Sequence, residues 1–400
     1  MGGQRHVDDD ERRARLVDRH HLGRTAADIE GCVADLVMLH SSDPTTPFLS
    51  LWARVPDVTR SDITDALYDR RSLWRLHTIR RTIWVVPRTF GPTALGGGTV
   101  PVAAADRRKL LAFVTASDVH PDPEGWLAGL AEEVLRVLDG AAPMTTAELG
   151  QAIPELRTPI TLGSGKWVQQ QPVGSRLLYL MAMDGLIVRG RPLGSWRASQ
   201  YRWSRTEQWF DEPLDGLLAA PEVSARADLL RAYLARFGPA TTDDIRWWTG
   251  WTKRSAVAAL DDVAAVVVSL DGGAEGWLLP EDVRPAPAVD RPVVTLLPAM
   301  DPTPMGWKER GWYLGEWAVF GGPLFDRNGN VGPTVWLDGR VVGGWAQQAD
   351  GRVVTRLLAD IGHDGSDAVA VEAERLTTWL RGHVVIPRFR TPLEKEMALG

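Results

Sequence analysis

Apolar positions follow a helical spacing over most of the chain and then alternate near its end. Spacings of three and four residues predict helices at 28–40, 61–71, 175–185 and 226–238. From about residue 291 the period becomes two, with Asp-Gly, Gly-Gly and Asn-Gly turns between the runs VVTLLPAM, PTVWLDGRVVGGWAQ, GRVVTRLLAD and HVVIPRF. This part predicts an antiparallel meander or small barrel, with one late helix at 366–380.

One short phrase occurs three times. It reads PDVTRSDI at Pro56–Ile63, APMTTAEL at Ala142–Leu149 and GPATTDDI at Gly238–Ile245. Each copy has a threonine followed three residues later by an acid, directly before an apolar helical run. That spacing predicts a capping box, in which the hydroxyl and the carboxylate satisfy amide groups of the first helical turn. Any helix can carry such a box, so the phrase alone says nothing about function.

The order of elements after each phrase is also similar. The second and third copies predict helix, helix, strand, glycine-containing turn and strand, which is the winged-helix order. In the first copy, the middle helix or the wing is less clear. We therefore expect an α+β protein with three tandem winged-helix modules, at 12–100, 101–215 and 222–288, followed by a C-terminal antiparallel β-domain or barrel at 289–400. Most winged helices bind DNA, although the acidic third copy could be a spacer.

The composition is that of a globular protein, with 44% hydrophobic and 24% charged residues among 400. No apolar run reaches the length of a membrane span, and the N-terminus lacks the apolar core of a signal peptide. The single cysteine, Cys32, excludes an intrachain disulfide framework. No histidine or cysteine spacing suits a metal, and no phosphate-binding glycine motif is complete. We expect a cytoplasmic, nucleoid-associated monomer that needs neither metal nor cofactor.

The net charge of −6 argues at first against nucleic acid, but the basic residues are concentrated. The segment from Arg157 to Arg205 contains eight basic residues and only one acid, Asp184. The excess of arginine over lysine could equally reflect a GC-rich genome. Most of the 18 tryptophans should be core residues, whereas Trp167 and Trp196 lie beside basic residues where they could stack on bases.

The segment DLVMLHSSDPTTPFLSLWARVP at Asp35–Pro56 is the one where chemistry could lie. An apolar helix is predicted to end in His40-Ser41-Ser42, and Asp43-Pro44 then turns the chain. The residues alone favour a helix stop, with Ser42 or Asp43 capping the next helix.

A resemblance to a known family supports the catalytic alternative. LHSSDP…LWARV, IRRTIWVVP, LLPAMDPTPMGWKERGWYL and PRFRTPLE together resemble the AlkZ/YcaQ-type winged-helix DNA glycosylases over roughly 16–393. The resemblance implies three winged helices, a C-terminal β-domain and activity on bulky alkylated purines and interstrand crosslinks. The catalytic Gln-x-Gln or Gln-x-Asp motif of the family falls on His40-x-Ser42. This variant is similar to an actinobacterial branch whose members include some that lie with genes for DNA-alkylating antibiotics.

The resemblance implies roles for named residues. His40 would accept a proton from the attacking water, Ser42 would orient that water or hold a phosphate, and Asp43 would orient His40, stabilise the cationic sugar or cap a helix. The motif has no lysine for a Schiff base, so we expect a monofunctional glycosylase. The expected DNA contacts are Arg54, Arg80, Arg81, Lys166, Trp167, Arg189, Arg191, Arg388 and Arg390. The arginines could instead form surface ion pairs.

The expected partner is double-stranded DNA that carries alkyl adducts. A non-catalytic winged-helix regulator or lesion-binding protein is the alternative, and a protein that sequesters the free drug is a third possibility.

Overall fold

The computed structural model describes residues 5–163, 168–286, 292–319 and 322–399. Short helices alternate with short strands in several small sheets, which is the expected α+β class. The helices are α1 (Asp9–Arg19), α2 (Ile29–Asp35), α3 (Thr46–Trp52), α4 (Arg60–Tyr68), α5 (Gly91–Ala94), α6 (Val100–Ala116), α7 (Pro123–Leu138), α8 (Thr146–Ala152), α9 (Val173–Met183), α10 (Thr206–Phe210), α11 (Glu222–Phe237), α12 (Thr242–Thr249), α13 (Lys253–Asp262), α14 (Gly311–Leu314), α15 (Gly362–Leu380) and α16 (Pro392–Ala398). The strands are β1 (His6–Val7), β2 (Leu39–His40), β3 (Leu73–His77), β4 (Ile83–Pro87), β5 (Met144–Thr145), β6 (Pro159–Leu162), β7 (Gln169–Pro172), β8 (Ile187–Pro192), β9 (Tyr201–Arg205), β10 (Val266–Leu270), β11 (Glu275–Leu278), β12 (Val294–Leu297), β13 (Thr334–Leu337), β14 (Arg340–Gln347) and β15 (Val353–Leu357).

All three predicted capping boxes are confirmed. They start α4, α8 and α12, and each has both reciprocal hydrogen bonds. The pairs are Thr59 with Asp62, Thr145 with Glu148 and Thr241 with Asp244. Each cap contributes about 1 kcal/mol to helix stability, so the repeated phrase fixes where three helices begin.

The elements after these caps follow the expected order in the second and third copies. Helices α8 and α9 precede the antiparallel pair β8–β9, which β5 extends to the sheet β5–β9–β8. Helices α12 and α13 precede the pair β10–β11, and β1 joins that sheet parallel to β10. In the first copy, β3 follows α4 directly, and the strands form the sheet β2–β4–β3. Three winged helices remain a prediction from this order.

The C-terminal meander is confirmed, and the barrel is not formed among the described residues. Strands β12, β13, β14 and β15 pair consecutively and antiparallel in an open sheet. Helix α15 contacts β12 and β15, and α16 contacts β14. The expected last strand, HVVIPRF, is wrong, because residues 383–391 are neither helix nor strand. The amide of Val385 donates to the Gln347 side chain at 2.7 Å instead of to a strand, and Pro387 has no amide to donate.

The chain divides into two compact units. Unit 1 comprises Met1–Leu73, Val85–Pro87 and Ala227–Gly400, and unit 2 comprises Trp74–Trp84 and Arg88–Arg226. The core of unit 2 is built mainly from α6, α7 and α9, with Val114, Val134 and Leu178 fully buried. The four modules proposed from sequence remain a prediction. No helix in the described residues is long and apolar enough to cross a membrane.

Candidate active site

The residues that lead into the motif form a shorter helix than expected. Helix α2 ends at Asp35, and Val37 takes a left-handed backbone with φ 62°. The expected helix to His40 is therefore wrong, and His40 is the last residue of β2. Leu36 to Leu39 are all buried, and a short continuous apolar run does not distinguish a buried strand from a buried helix.

The His40 ring is almost fully buried, with 4% of its surface exposed. Its Nδ1 accepts a hydrogen bond of 3.3 Å from the amide of Ser42. An accepting Nδ1 carries no proton, so the neutral ring holds its proton on Nε2. The ring therefore needs to release the Ser42 amide before Nδ1 can accept a proton from water.

The two serines after His40 differ in environment. The Ser42 side chain is half-buried. Ser41 is 2% exposed, and its Oγ is buried without a hydrogen-bond partner. A buried polar atom without a partner reduces the free energy of unfolding by about 1–3 kcal/mol. Proteins retain such atoms at functional positions. No sequence pattern distinguishes Ser41 from its neighbours, so sequence reasoning did not single it out.

Asp43 is 4% exposed, and both of its carboxylate oxygens accept hydrogen bonds. Oδ1 accepts from the amide and the hydroxyl of Thr45, at 2.9 and 2.7 Å, just before α3. Oδ2 accepts from the Arg388 amide at 2.8 Å. These bonds hold the turn and attach residues 383–391 to it, which suits a positioning role better than contact with a sugar.

Arg388 and Arg390 lie on this attached segment but differ in availability. The Arg388 side chain is exposed, and its Nη1 donates to the Ser42 carbonyl at 3.2 Å. Arg390 forms a two-pronged pair with Glu394, at 2.6 and 2.9 Å. Arg388 is therefore a cation beside the motif, whereas Arg390 is neutralised within the protein. No sequence pattern indicated that a residue more than 300 positions away would contact the motif.

Arg54 lies in the interior instead of on a DNA-facing surface. Its side chain is 0% exposed and pairs through both terminal nitrogens with Asp301, at 2.8 and 2.7 Å. The remaining donors reach the carbonyls of His20 and Ser50 and the Thr303 hydroxyl. All five N–H groups of the guanidinium are therefore used, and none is left for a phosphate. We call Arg54, Asp301, Thr303, Ser50 and His20 the Arg54 network.

His20 completes this network as a neutral ring. Its Nε2 donates to the Arg236 carbonyl at 3.2 Å, and its Nδ1 accepts from the Thr303 hydroxyl at 2.9 Å. Burial and the nearby Arg54 charge lower the pKa of His20 well below its ordinary value.

The other predicted contacts belong to unit 2. Arg80 and Arg81 are exposed in the turn between β3 and β4, both with a left-handed backbone, and Arg81 pairs with Asp106 at 2.9 Å. Arg191 is exposed on β8. The Arg189 Nη1 lies 2.7 Å from His77 Nδ1, and burial lowers the pKa of Arg189 to about 10. Lys166 and Trp167 lie outside the described residues.

Comparison with known proteins decides the family. A family model described as DNA glycosylase AlkZ-like matches residues 33–379. The chain belongs to the AlkZ-like DNA glycosylase family. The matched region of this family member contains the whole His40–Asp43 turn and ends before Arg388.

A solved structure agrees with the family in fold. The Streptomyces sahachiroi DNA glycosylase AlkZ is similar to this chain over 93% of this chain and 97% of its own, with a TM-score of 0.69 and 20% identity. No curated protein matches this AlkZ-like chain in sequence at a significant level.

Proposed function

We propose that this protein is a monofunctional DNA glycosylase that hydrolyses the N-glycosidic bond of bulky N7- or N3-alkylated purines. Its substrates would include interstrand crosslinks, in base excision repair or in self-resistance to a DNA-alkylating antibiotic. The observation that carries the proposal is the turn at 40–43, which holds a buried imidazole beside a half-buried hydroxyl in the segment to which the sequence resemblance assigns the catalytic motif.

Cleavage of the N-glycosidic bond needs little catalytic assistance from the protein when the base that leaves is already cationic. An N7-alkylated guanine is an activated leaving group, so the sugar passes through an oxocarbenium-like state that water attacks at C1′. His40 would accept the water proton at Nδ1 once the Ser42 amide has been displaced. The hydroxyls of Ser42 and Ser41 would orient the water. Asp43 would hold the turn through its bonds to Thr45 and Arg388.

Release of the base would stop at an abasic site. A lyase step needs an amine nucleophile for a Schiff base, and the segment 35–56 contains no lysine.

DNA would be held by exposed arginines. Arg388 lies beside the motif, where its guanidinium would reach a phosphate next to the damaged nucleotide. The exposed Arg80, Arg81 and Arg191 and the half-buried Arg189 are further proposed contacts in unit 2, and Lys166 and Trp167 stay predictions. The observed interactions of Arg54 and Arg390 favour a structural role for both.

The test is incubation of the full-length protein with duplexes that each carry one bulky N7-alkylguanine or N3-alkyladenine. Alkali then cleaves any abasic site, and untreated samples reveal lyase activity. We expect strand breaks only after alkali. If the protein binds these duplexes but forms no abasic product from any of the adducts, the proposal of an enzyme is rejected.

A non-catalytic lesion-binding protein is the second candidate. It is favoured by the contact between the Ser42 amide and His40 Nδ1, which occupies the nitrogen that a base needs. It predicts adduct binding that His40→Ala leaves unchanged, with no abasic product.

A further inference from the structure

A cavity of about 790 Å³ lies within unit 2, away from the His40 turn in the chain. Its walls come from α8, the start of α9 and the strands β8 and β9. This volume is within the range of ligand-binding sites in proteins. Its polar wall residues include Gln151, Arg157, Ser175, Arg189 and Tyr201.

Among the residues that the structure describes, the only charged ones that line this cavity are Arg157 and Arg189. Arg157 is exposed, and neither arginine has an ion pair among the described residues. The Glu148 carboxylate accepts from the Thr145 amide at 2.7 Å in the capping box, and Glu148 does not line the cavity. Several other arginines of unit 2 are paired with acids, such as Arg205 with Asp139 at 3.0 Å and Arg107 with Asp184 at 2.6 Å. The cavity therefore carries an uncompensated positive charge.

Two further features favour an anion. The Arg189 guanidinium lies 4.4 Å from the centre of the Trp203 ring and 2.7 Å from a neutral His77, which fix its position without cancelling its charge. The first turn of the 11-residue helix α9 begins at the cavity, at Gly174 and Ser175, and its N-cap, Pro172, makes no side-chain cap. Its amide groups add partial positive charge.

We propose that this cavity binds a phosphodiester segment of DNA, as a second DNA contact separate from the 40–43 turn. Arg157 and Arg189 would pair with phosphate oxygens, and Ser175 and Gln151 would donate hydrogen bonds. This inference rests on the proposed function in taking DNA as the partner. The cavity would supply binding energy and no chemistry.

Arg157→Gln tests the proposal, with Arg136→Gln as the matched control. Arg136 is an exposed arginine of α7 in the same unit, pairs with Glu133 and does not line the cavity. Anisotropy of a labelled, undamaged duplex is measured at several salt concentrations. Loss of one phosphate contact should raise Kd roughly 3- to 10-fold and reduce the slope of log K against log salt by about 0.9. The control should match the wild type.

Ser175→Asp and Ser175→Asn form a second pair that differs only in charge. An acid in the first turn of α9 stabilises the helix, so Ser175→Asp should fold while repelling phosphate. We expect Ser175→Asp to bind at least as weakly as Arg157→Gln, and clearly more weakly than Ser175→Asn, because only the acid repels phosphate. Equal binding by the two Ser175 variants, or Arg157→Gln equal to its control, would overturn the proposal.

Two outcomes distinguish this proposal from failure of the proposed glycosylase function and from binding of a small phosphate. If the wild type does not bind duplex at all, the proposed glycosylase function fails with it. If the wild type binds duplex, both variant pairs leave duplex binding unchanged, and inorganic phosphate binds the wild type but not Ser175→Asp, the cavity binds a small phosphate instead. That result would also reject a DNA-backbone site.

Discussion

The Arg54 network and the 40–43 turn are both buried polar clusters of unit 1, but they differ in how their polar atoms are satisfied. In the network every N–H of Arg54 has an acceptor, and His20 uses both ring nitrogens. In the turn, Asp43 is fully engaged, whereas Ser41 Oγ has no partner and Ser42 is half-buried. A cluster in which every polar atom is hydrogen-bonded stabilises the fold. A cluster with an unsatisfied polar atom can still bind a water or a substrate.

The largest expected effect is on stability, from Arg54→Met. Removing one partner of a buried ion pair leaves Asp301 uncompensated and costs about 3–5 kcal/mol. Urea denaturation at neutral pH measures it. The matched control is Arg254→Met, at an exposed arginine of α13, which should change stability by less than about 0.5 kcal/mol. Equal stability of the two variants would show that the network does not hold the fold.

A smaller loss is expected from Asp43→Asn. The new amide can keep the Thr45 bonds but then places NH₂ against the Arg388 amide, so two donors face each other at a buried position. We expect a cost of about 1–3 kcal/mol and faster hydrogen exchange at 386–391. The exposed Asp261→Asn is the control. Unchanged hydrogen exchange at 386–391 would show that the hydrogen bond from the Arg388 amide to Asp43 does not hold this segment.

The pH dependence of stability sharpens the same comparison. The pKa of His20 in the folded protein is well below its unfolded value near 6.5, because burial and Arg54 disfavour the charged ring. Below about pH 6.5 the unfolded chain binds the extra proton, so stability is complete above that pH and falls as the pH drops towards the folded pKa. His77 in unit 2 has a pKa shift of the same direction and cause, with Arg189 in place of Arg54.

Each such histidine contributes at most about 1.4 kcal/mol per pH unit to this loss. Denaturation midpoints of the wild type and His20→Gln, from pH 7.5 to 5, should converge as the pH falls. The exposed His363→Gln should follow the wild type. Parallel curves for His20→Gln and the wild type would show that His20 is not held neutral.

The smallest expected effect is on DNA binding, from Arg388→Gln. Its exposed guanidinium is proposed to contact one phosphate, so the affinity for duplex should fall several-fold, about 0.5–1 kcal/mol, with unchanged stability. Anisotropy titrations compare it with Arg390→Gln, whose side chain is already paired with Glu394. A larger binding loss in Arg390→Gln would reverse the assignment.

Local features were predictable from sequence where the deciding interactions are local. The capping boxes at Thr59, Thr145 and Thr241 join residues three apart, and their helices begin where the spacing predicts. The C-terminal meander was also predictable, because consecutive strands joined by short turns pair with each other.

Features that depend on distant residues were not predictable. The arginine of LWAR was expected on the surface because its partner, Asp301, is 247 positions away. The end of α2 at Asp35 was missed because the apolar run continues through Leu39 in a strand that is buried by its neighbours. The bond of Asp43 to the Arg388 amide joins positions 345 apart.

The central claim is that His40 acts on the sugar of a damaged nucleotide. The direct measurement is single-turnover excision from a duplex with one bulky N7-alkylguanine, by the wild type, His40→Ala and the exposed control His363→Ala. We predict that His40→Ala reduces the rate by roughly 10²- to 10⁴-fold with duplex affinity unchanged, while His363→Ala matches the wild type. Excision by His40→Ala at the wild-type rate would contradict the account.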